Sequence, residues 1–211
     1  MQANLETTAT TDGPSIVYRI DGADYLMEVG GSWNDFAESN EGPELVADAV
    51  LGRSLWDYVG DLPTRQLYRT MLRHVRSDGI PVRFRFRCDG PTRRRLLEME
   101  IAPVEGGHVR FSVVPVAEAA RPAVPLLDGA HKVDRGGQLI MCGWCQDVQL
   151  PGNRWVPAER AVEALGLFEG TDVPTVSHGI CPDCHDELTG ALLDPSLSES
   201  GSVTLGDWTV A

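Results

Sequence analysis

Residues 62–104, "LPTRQLYRTMLRHVRSDGIPVRFRFRCDGPTRRRLLEMEIAPV", change periodicity halfway, and that change decides the fold. In the first half Leu67, Met71 and Val75 recur at four-residue spacing. Pro63 suits a first turn and Gly79 follows the end, which predicts one long helix. From Val82 the spacing drops to two. Val82, Phe84, Phe86 and Cys88 share one face of a strand, and Arg83, Arg85 and Arg87 share the other. The next strand puts Leu97, Met99 and Ile101 on one face, with Glu98 and Glu100 on the other. Paired antiparallel, the acids face the arginine row, and exposed pairs of this kind contribute only about 0.2–1 kcal/mol each. The competing reading of the arginine row is a site for an anion or an acidic partner.

Working outward, "SIVYRID" (15–21) and "YLMEVGGSWNDFA" (25–37) predict two strands, the second running into a short helix. "HVRFSVVPV" (108–116) predicts a further strand after the Glu98/Glu100 segment. The order is two strands, short helices, one longer helix, then three strands, an α+β pattern. Residues 1–14 are polar and Thr-rich and read as disordered. "AEAARPAVPLLDGAHKVDRGG" (117–137) holds Pro122, Pro125 and a Gly-Gly and reads as a linker. The chain then divides into a domain at 15–116, a cysteine-rich module at 138–190 and an acidic tail at 191–211. Val203, Leu205 and Trp208 of the tail are candidates for docking back.

The chain has 211 residues and a formal net charge of -13, which repels a phosphate backbone and argues against nucleic acid as a partner. No run approaches 18 apolar residues, so no membrane partner is expected. The start lacks the basic and apolar regions of a secretory signal. The expected location is the cytoplasm, where paired cysteines bind metal or do redox chemistry more often than they form structural disulfides.

Four of the five cysteines form two Cys-x-x-Cys pairs, in "IMCGWCQD" (140–147) and "SHGICPDCHDE" (177–187). Each tight turn aims two thiolates at one ion, and two turns complete a tetrahedral site. Cys142, Cys145, Cys181 and Cys184 are therefore the expected ligands of a structural zinc ion. The gap between the pairs, about 35 residues, exceeds the usual ~15–20. "PAERAVEALGLFEG" (157–170) can form a helix within it. His178 or His185 could replace one cysteine, and Trp144 and Trp155 could pack beside the site. Two other chemistries use the same residues. Two dithiols can form a disulfide and report oxidation. "CPDCH" (181–185) also matches the haem-attachment motif, but attachment normally needs export and would leave the first pair without a role.

The order of elements, with "NDFAESN" (34–40), "LGRSLWDYVGD" (51–61) and "RCDGPTRRRLLEMEI" (87–101), resembles a PAS domain over residues 15–116. The resemblance implies a five-stranded antiparallel sheet with helices on one face, used as a sensory and dimerisation module. It also implies a pocket for flavin, haem or a metabolite. Photosensing members use a cysteine before the long helix, and "GRSLWDYVGD" has none. A haem would need an axial ligand, for which His74 is the candidate on the long helix. Trp33, Trp56 and Tyr68 read as core aromatics. Cys142, Trp144, Cys145, Trp155, His178, Gly179, Cys181, Pro182 and Cys184 resemble a cysteine-pair segment that follows PAS modules in some bacterial signalling proteins.

No phosphate loop, nucleophile elbow or kinase motif is present, so the sequence offers no positive reason to read an enzyme. The expectation is a signalling or regulatory protein with a structural zinc site and a PAS-pocket ligand of unknown identity. It would act through itself as a homodimer or through another protein. The alternative is a redox-active dithiol protein or oxidoreductase. Cys88, alone on an apolar strand face, is expected to be a buried, inert thiol. Cys88→Ala should leave the metal content unchanged and cost on the order of 1 kcal/mol in denaturant unfolding. A fall in bound metal would place Cys88 in the site.

Overall fold

A computed structural model describes residues 8–9, 15–39, 42–128, 138–167, 174–193, 203–205 and 208–210. Its main sheet is antiparallel and built from β2 (Ile16–Ile20), β3 (Leu26–Gly31), β4 (Val82–Arg87), β5 (Arg93–Val104) and β6 (His108–Ala120), in the spatial order β3-β2-β6-β5-β4. A two-residue strand, β1 (Thr8–Ala9), pairs with Glu118 and Ala117 of β6. The disorder expected of residues 1–14 therefore does not hold at β1; the rest of that segment lies outside the described residues.

Helices α1 (Trp33–Ser39), α2 (Ala47–Val50) and α3 (Leu62–Asp78) connect β3 to β4. The ends of α3 are set by its caps. The Asp61 carboxylate accepts from the Thr64 N–H at 2.9 Å, and Gly79 closes the helix in the left-handed conformation at φ 70°. Leu67, Met71, Leu72 and Val75 are buried in one core with Ile101, Val109 and Phe111 of the sheet. This is the expected five-stranded antiparallel sheet with helices packed on one face, a PAS-like arrangement.

Cross-strand chemistry accounts for most of the arginine row. Arg83 lies opposite Glu100, and Arg85 opposite Glu98. Their Nε atoms donate to those carboxylates at 2.7 and 3.2 Å. Arg87 differs, being 3% exposed and ion-paired with Asp89. Asp89 also accepts from Arg121 Nη1 at 2.7 Å. Between β5 and β6 the register shifts at Leu96/Leu97, with Val116 of β6 the extra residue, and the two leucines are both buried although they lie opposite Arg87 and Phe86 on different faces of the sheet.

A second sheet is formed by β7 (Gln138–Cys142), β8 (Val148–Leu150), β9 (Arg154–Val156) and β10 (Thr175–Gly179), in the order β10-β7-β8-β9. Helix α4 (Ala158–Ala164) supplies Ala158 and Ala161 to its core, beside Met141, Val148 and Leu150. Val124 and Leu126 join the same core. The segment expected to be a linker is therefore packed structure over 117–128. β6 runs on to Ala120, the Arg121 side chain is buried and ion-paired with Glu159 of α4, and the Val124 N–H donates to Pro91 O at 2.8 Å. Pro122 and Pro125 stiffen the crossing, and Val124 and Leu126 within it are buried. Residues 129–137 lie outside the described residues. Helix α5 (Pro182–Leu193) follows β10, and β11 (Val203–Leu205) pairs antiparallel with β12 (Trp208–Val210) in the segment expected to be a tail. No helix among the described residues is long and apolar enough to cross a membrane.

Asp89 is the shared partner of two buried arginines. Removing it takes a buried counter-charge from both, although Arg121 keeps its ion pair with Glu159, so Asp89→Ala should destabilise the chain by about 3–5 kcal/mol. Arg83→Ala, on the exposed side of the sheet, should cost about 0.2–1 kcal/mol. Urea unfolding of both variants checks the order, and equal costs would show that Asp89 does not compensate the two arginines.

Candidate metal centre

Two turns build the centre, and one strand pairing brings them together. The first follows β7. The Cys142 N–H donates to Asp147 O at 2.7 Å, the Gln146 N–H to Cys142 O at 3.0 Å, and Gln146 takes a left-handed φ of 61°. The second joins β10 to α5, with Cys184 in the first turn of that helix. Because β10 runs parallel to β7 with Gly179 opposite Cys142, the second pair arrives beside the first. The Gly143 N–H donates to Gly179 O at 2.9 Å and locks the approach.

The four sulfurs of Cys142, Cys145, Cys181 and Cys184 lie within 4.8 Å of one another, and those of Cys145 and Cys181 are 3.8 Å apart. A tetrahedral zinc site with Zn–S of about 2.3 Å has sulfur–sulfur edges of about 3.8 Å. All four side chains are buried, and none is in a disulfide. Cys142 Sγ accepts from the Trp144 and Cys181 N–H groups at 3.5 and 3.4 Å, and Cys181 Sγ from the Cys184 N–H at 3.4 Å. Backbone donors aimed at sulfur favour thiolates. Hydrogen bonds from the Cys145, Cys181 and Cys184 thiols hold Cys142 far below the usual thiol range. Sharing with Cys142 pushes Cys145 and Cys184 up. Without a cation the cluster cannot ionise fully, whereas a divalent ion draws the remaining protons off. The donor set thus fits a buried, soft, four-coordinate metal site.

The other candidates fall elsewhere. Neither His178 nor His185 belongs to the group. The His185 ring lies 3.4 Å from the Asp186 carboxylate. Cys181 and Cys184, the thiols of the haem-attachment motif, are both engaged with the first pair. Half-buried Cys88 packs against the main core, and burial pushes its thiol up, which suits an inert group. His74 pairs with Asp78 at 2.7 Å on α3. Trp33, Trp56, Tyr68 and Trp155 pack against the main core, and Trp144 is buried within it.

Sequence reasoning missed the anchor of the first turn. The Arg87 N–H on the edge strand β4 donates to Trp144 O at 2.6 Å, and the Asp89 N–H donates to Gln146 Oε1 at 2.9 Å. The turn therefore covers part of an open sheet edge. No local pattern signals a Gln after a cysteine pair as the partner of an Asp 57 residues earlier.

No protein-family model matches the chain, and no curated protein matches it. Among solved structures it is similar to the photoactive yellow protein domain from the sensor histidine kinase Ppr of Rhodospirillum centenum. There the identity is 19% and the TM-score 0.34, over 48% of this chain and 91% of that one. It is similar to the PAS domain of Bordetella pertussis BvgS at 18% and 0.32, over 49% and 73%. A domain of an HTR-like protein from Haloarcula marismortui matches at 14% and 0.33, over 51% and 98%. The PAS-like arrangement stands on the chain's own strand order, antiparallel pairing and helical face.

Metal analysis of protein purified without a metal-binding tag should find about one zinc per chain, and Cys184→Ser should abolish it. Because the cysteines share a core with α3, chelation should lower the stability of the whole chain, by an amount comparable with a domain's total of about 5–15 kcal/mol. An unchanged thermal transition after chelation would show that the four sulfurs hold no ion.

Proposed function

We propose that this chain is a cytoplasmic signalling or regulatory protein. In this reading a PAS-like sensory or dimerisation module and a structural zinc site act through a partner, either a second copy or another protein. The observation that supports it is the packing of the four cysteines into the same apolar core as α3 and strands β4–β6. A closed four-sulfur shell leaves no position for a catalytic water, so the metal's part is mechanical. It staples a second element onto the helical face of the sheet. The resemblance of residues 15–116 to PAS domains supplies the sensory half of the reading. A ligand transmits a signal through such a unit only by binding two of its states unequally.

The redox alternative has its own supporting observation, the 3.8 Å approach of the Cys145 and Cys181 sulfurs from different pairs. The two readings separate on one set of samples, wild type and Cys181→Ser/Cys184→Ser. Zinc content, self-association by light scattering and partner capture are measured on both. The signalling reading expects bound zinc and a homodimer or captured partner in wild type, with both weakened in the double variant. A reversible disulfide without metal would support the dithiol reading. Turnover of a small substrate by the monomer, abolished in the double variant with no partner captured, would overturn the proposal in favour of an enzyme.

A further inference from the structure

The chain is acidic, with a formal net charge of -13, yet α3 carries Arg65, Arg69, Arg73 and Arg76 against the single acid Asp78. Arg65 and Arg76 are engaged inside the chain. Arg65 donates to Trp56 O and Val59 O, and Arg76 to the Asp24 carboxylate and the Asp21 and Gly107 carbonyls. Arg69 and Arg73 are exposed and have no acidic partner among the described residues. Arg69 stacks over the Trp56 ring, 4.9 Å from its centroid, which holds it in place for a further contact. Leu62, Gln66, Arg69 and Arg73 follow at spacings of four, three and four, so they form one stripe on the side of α3 away from its buried residues. Leu62 heads that stripe and is 62% exposed.

Helix α5 packs beside α3, and its Leu188 shares a core with Leu67, Met71, Leu72 and Val75. Its outward stripe has the opposite sign. Asp183, Asp186 and Glu187 are exposed, and α5 has no Lys or Arg. Among the described residues, Asp186 meets only the neighbouring His185, and Asp183 and Glu187 have no ion pair. Gly190 continues this stripe, opposite Leu188 and Leu192 on the helix. A Cβ there would meet nothing within 4 Å among the described residues. Glycine lowers helix stability relative to alanine, and the packing within this chain does not call for it at that position. A second helix laid across α5 does, because glycine lets two backbones approach closely.

We propose that the outer surface of α3 and α5 binds a second copy of the chain about a two-fold axis, the basic stripe of α3 in each copy lying on the acidic stripe of α5 in the other. This rests on the signalling reading and names its partner and the surface. A two-fold interface places a patch on itself, so the patch must complement itself. A patch with one basic and one acidic half does so when the halves are exchanged. Arg69 and Arg73 then meet Asp186 and Glu187 twice, once on each side of the axis. Pairing α3 with α3, or α5 with α5, would set like charges together. Two chains of charge -13 repel at long range, so their association depends on local contacts of opposite sign. Leu62, with Tyr58 42% exposed four residues before it, adds apolar area beside the charges. Because α5 begins at the second cysteine pair, the cysteine cluster fixes the acidic stripe beside α3.

The test uses the full-length chain, with self-association measured by sedimentation equilibrium. Arg69→Glu/Arg73→Glu turns the α3 stripe acidic, and Asp186→Lys/Glu187→Lys turns the α5 stripe basic. Each variant alone should raise the dimer dissociation constant at least about tenfold, since like charges then face each other. An equimolar mixture of the two should recover a heterodimer, and a chain carrying all four substitutions should recover a homodimer. Both restore opposite signs across the axis, which a general loss of stability would not allow. Where a double variant fails to fold, Arg73→Glu and Glu187→Lys carry the same comparison. A monomeric wild type, a dimer that neither reversal weakens, or a mixture that stays monomeric would each overturn the proposal. Zinc content and capture of another protein are measured on the same samples. A zinc-loaded monomer that captures another protein loses this inference alone and keeps the signalling reading. A zinc-free chain whose dimer still follows the charge reversals keeps this surface and loses the structural-zinc reading.

Discussion

Four thiol sulfurs held within 4.8 Å of one another are the constraint on which the second half of the chain depends. Buried thiols at this spacing cannot all ionise unless a cation compensates them. The backbone has nevertheless been folded to point N–H groups at two of them. The turn that does this holds Gln146 at positive φ, an uncommon conformation for a residue with a side chain. The second pair is delivered by β10 lying parallel to β7. Parallel strands need a crossover of a dozen or more residues. Here β8, β9 and α4 supply it, which explains why the two pairs stand so far apart in sequence.

The same turn solves a problem for the first sheet. β4 is an edge strand at the end of the β3-β2-β6-β5-β4 order. Its Arg87 N–H is paired with Trp144 O instead of being left open to another chain. Around this joint the charges are matched, with Arg87, Asp89 and Arg121 buried and Arg94 and Glu159 partly so. Asp89 compensates Arg87 and Arg121, and Glu159 on α4 compensates Arg94 and Arg121. Buried ion pairs add little net stability, because desolvation offsets much of their attraction. They do penalise any arrangement in which one partner is missing, so they hold the two sheets in one relative placement.

Four clustered cysteines, a covered edge and a shared core join the two halves. The cysteine turn touches α3 through Trp144 and Tyr68, and the edge of the sheet through Arg87. The proposed partner-binding output would use these contacts.

Periodicity alone determined much of the first half. The four-residue spacing of Leu67, Met71 and Val75 and the alternation from Val82 placed α3, β4 and β5. The Glu98 and Glu100 pairings with arginine followed from the same alternation. The four cysteines were legible as a group because Cys-x-x-Cys is a local geometry, complete within one turn. The helix between the two pairs, α4, lay where its sequence placed it. What the chain did not reveal locally was decided by contacts between distant segments. Arg87 looked like its neighbours Arg83 and Arg85 until Asp89, Arg121 and the first cysteine turn buried it. Val124 and Leu126 read as linker residues because their burial depends on β7 and α4, which come later in the chain. The packing of the Trp144 ring on Tyr68 and Phe84, the Gln146–Asp89 bond and the parallel β7–β10 register belong to the same class. Local spacing reports which face a side chain takes; only the folded chain decides what that face meets.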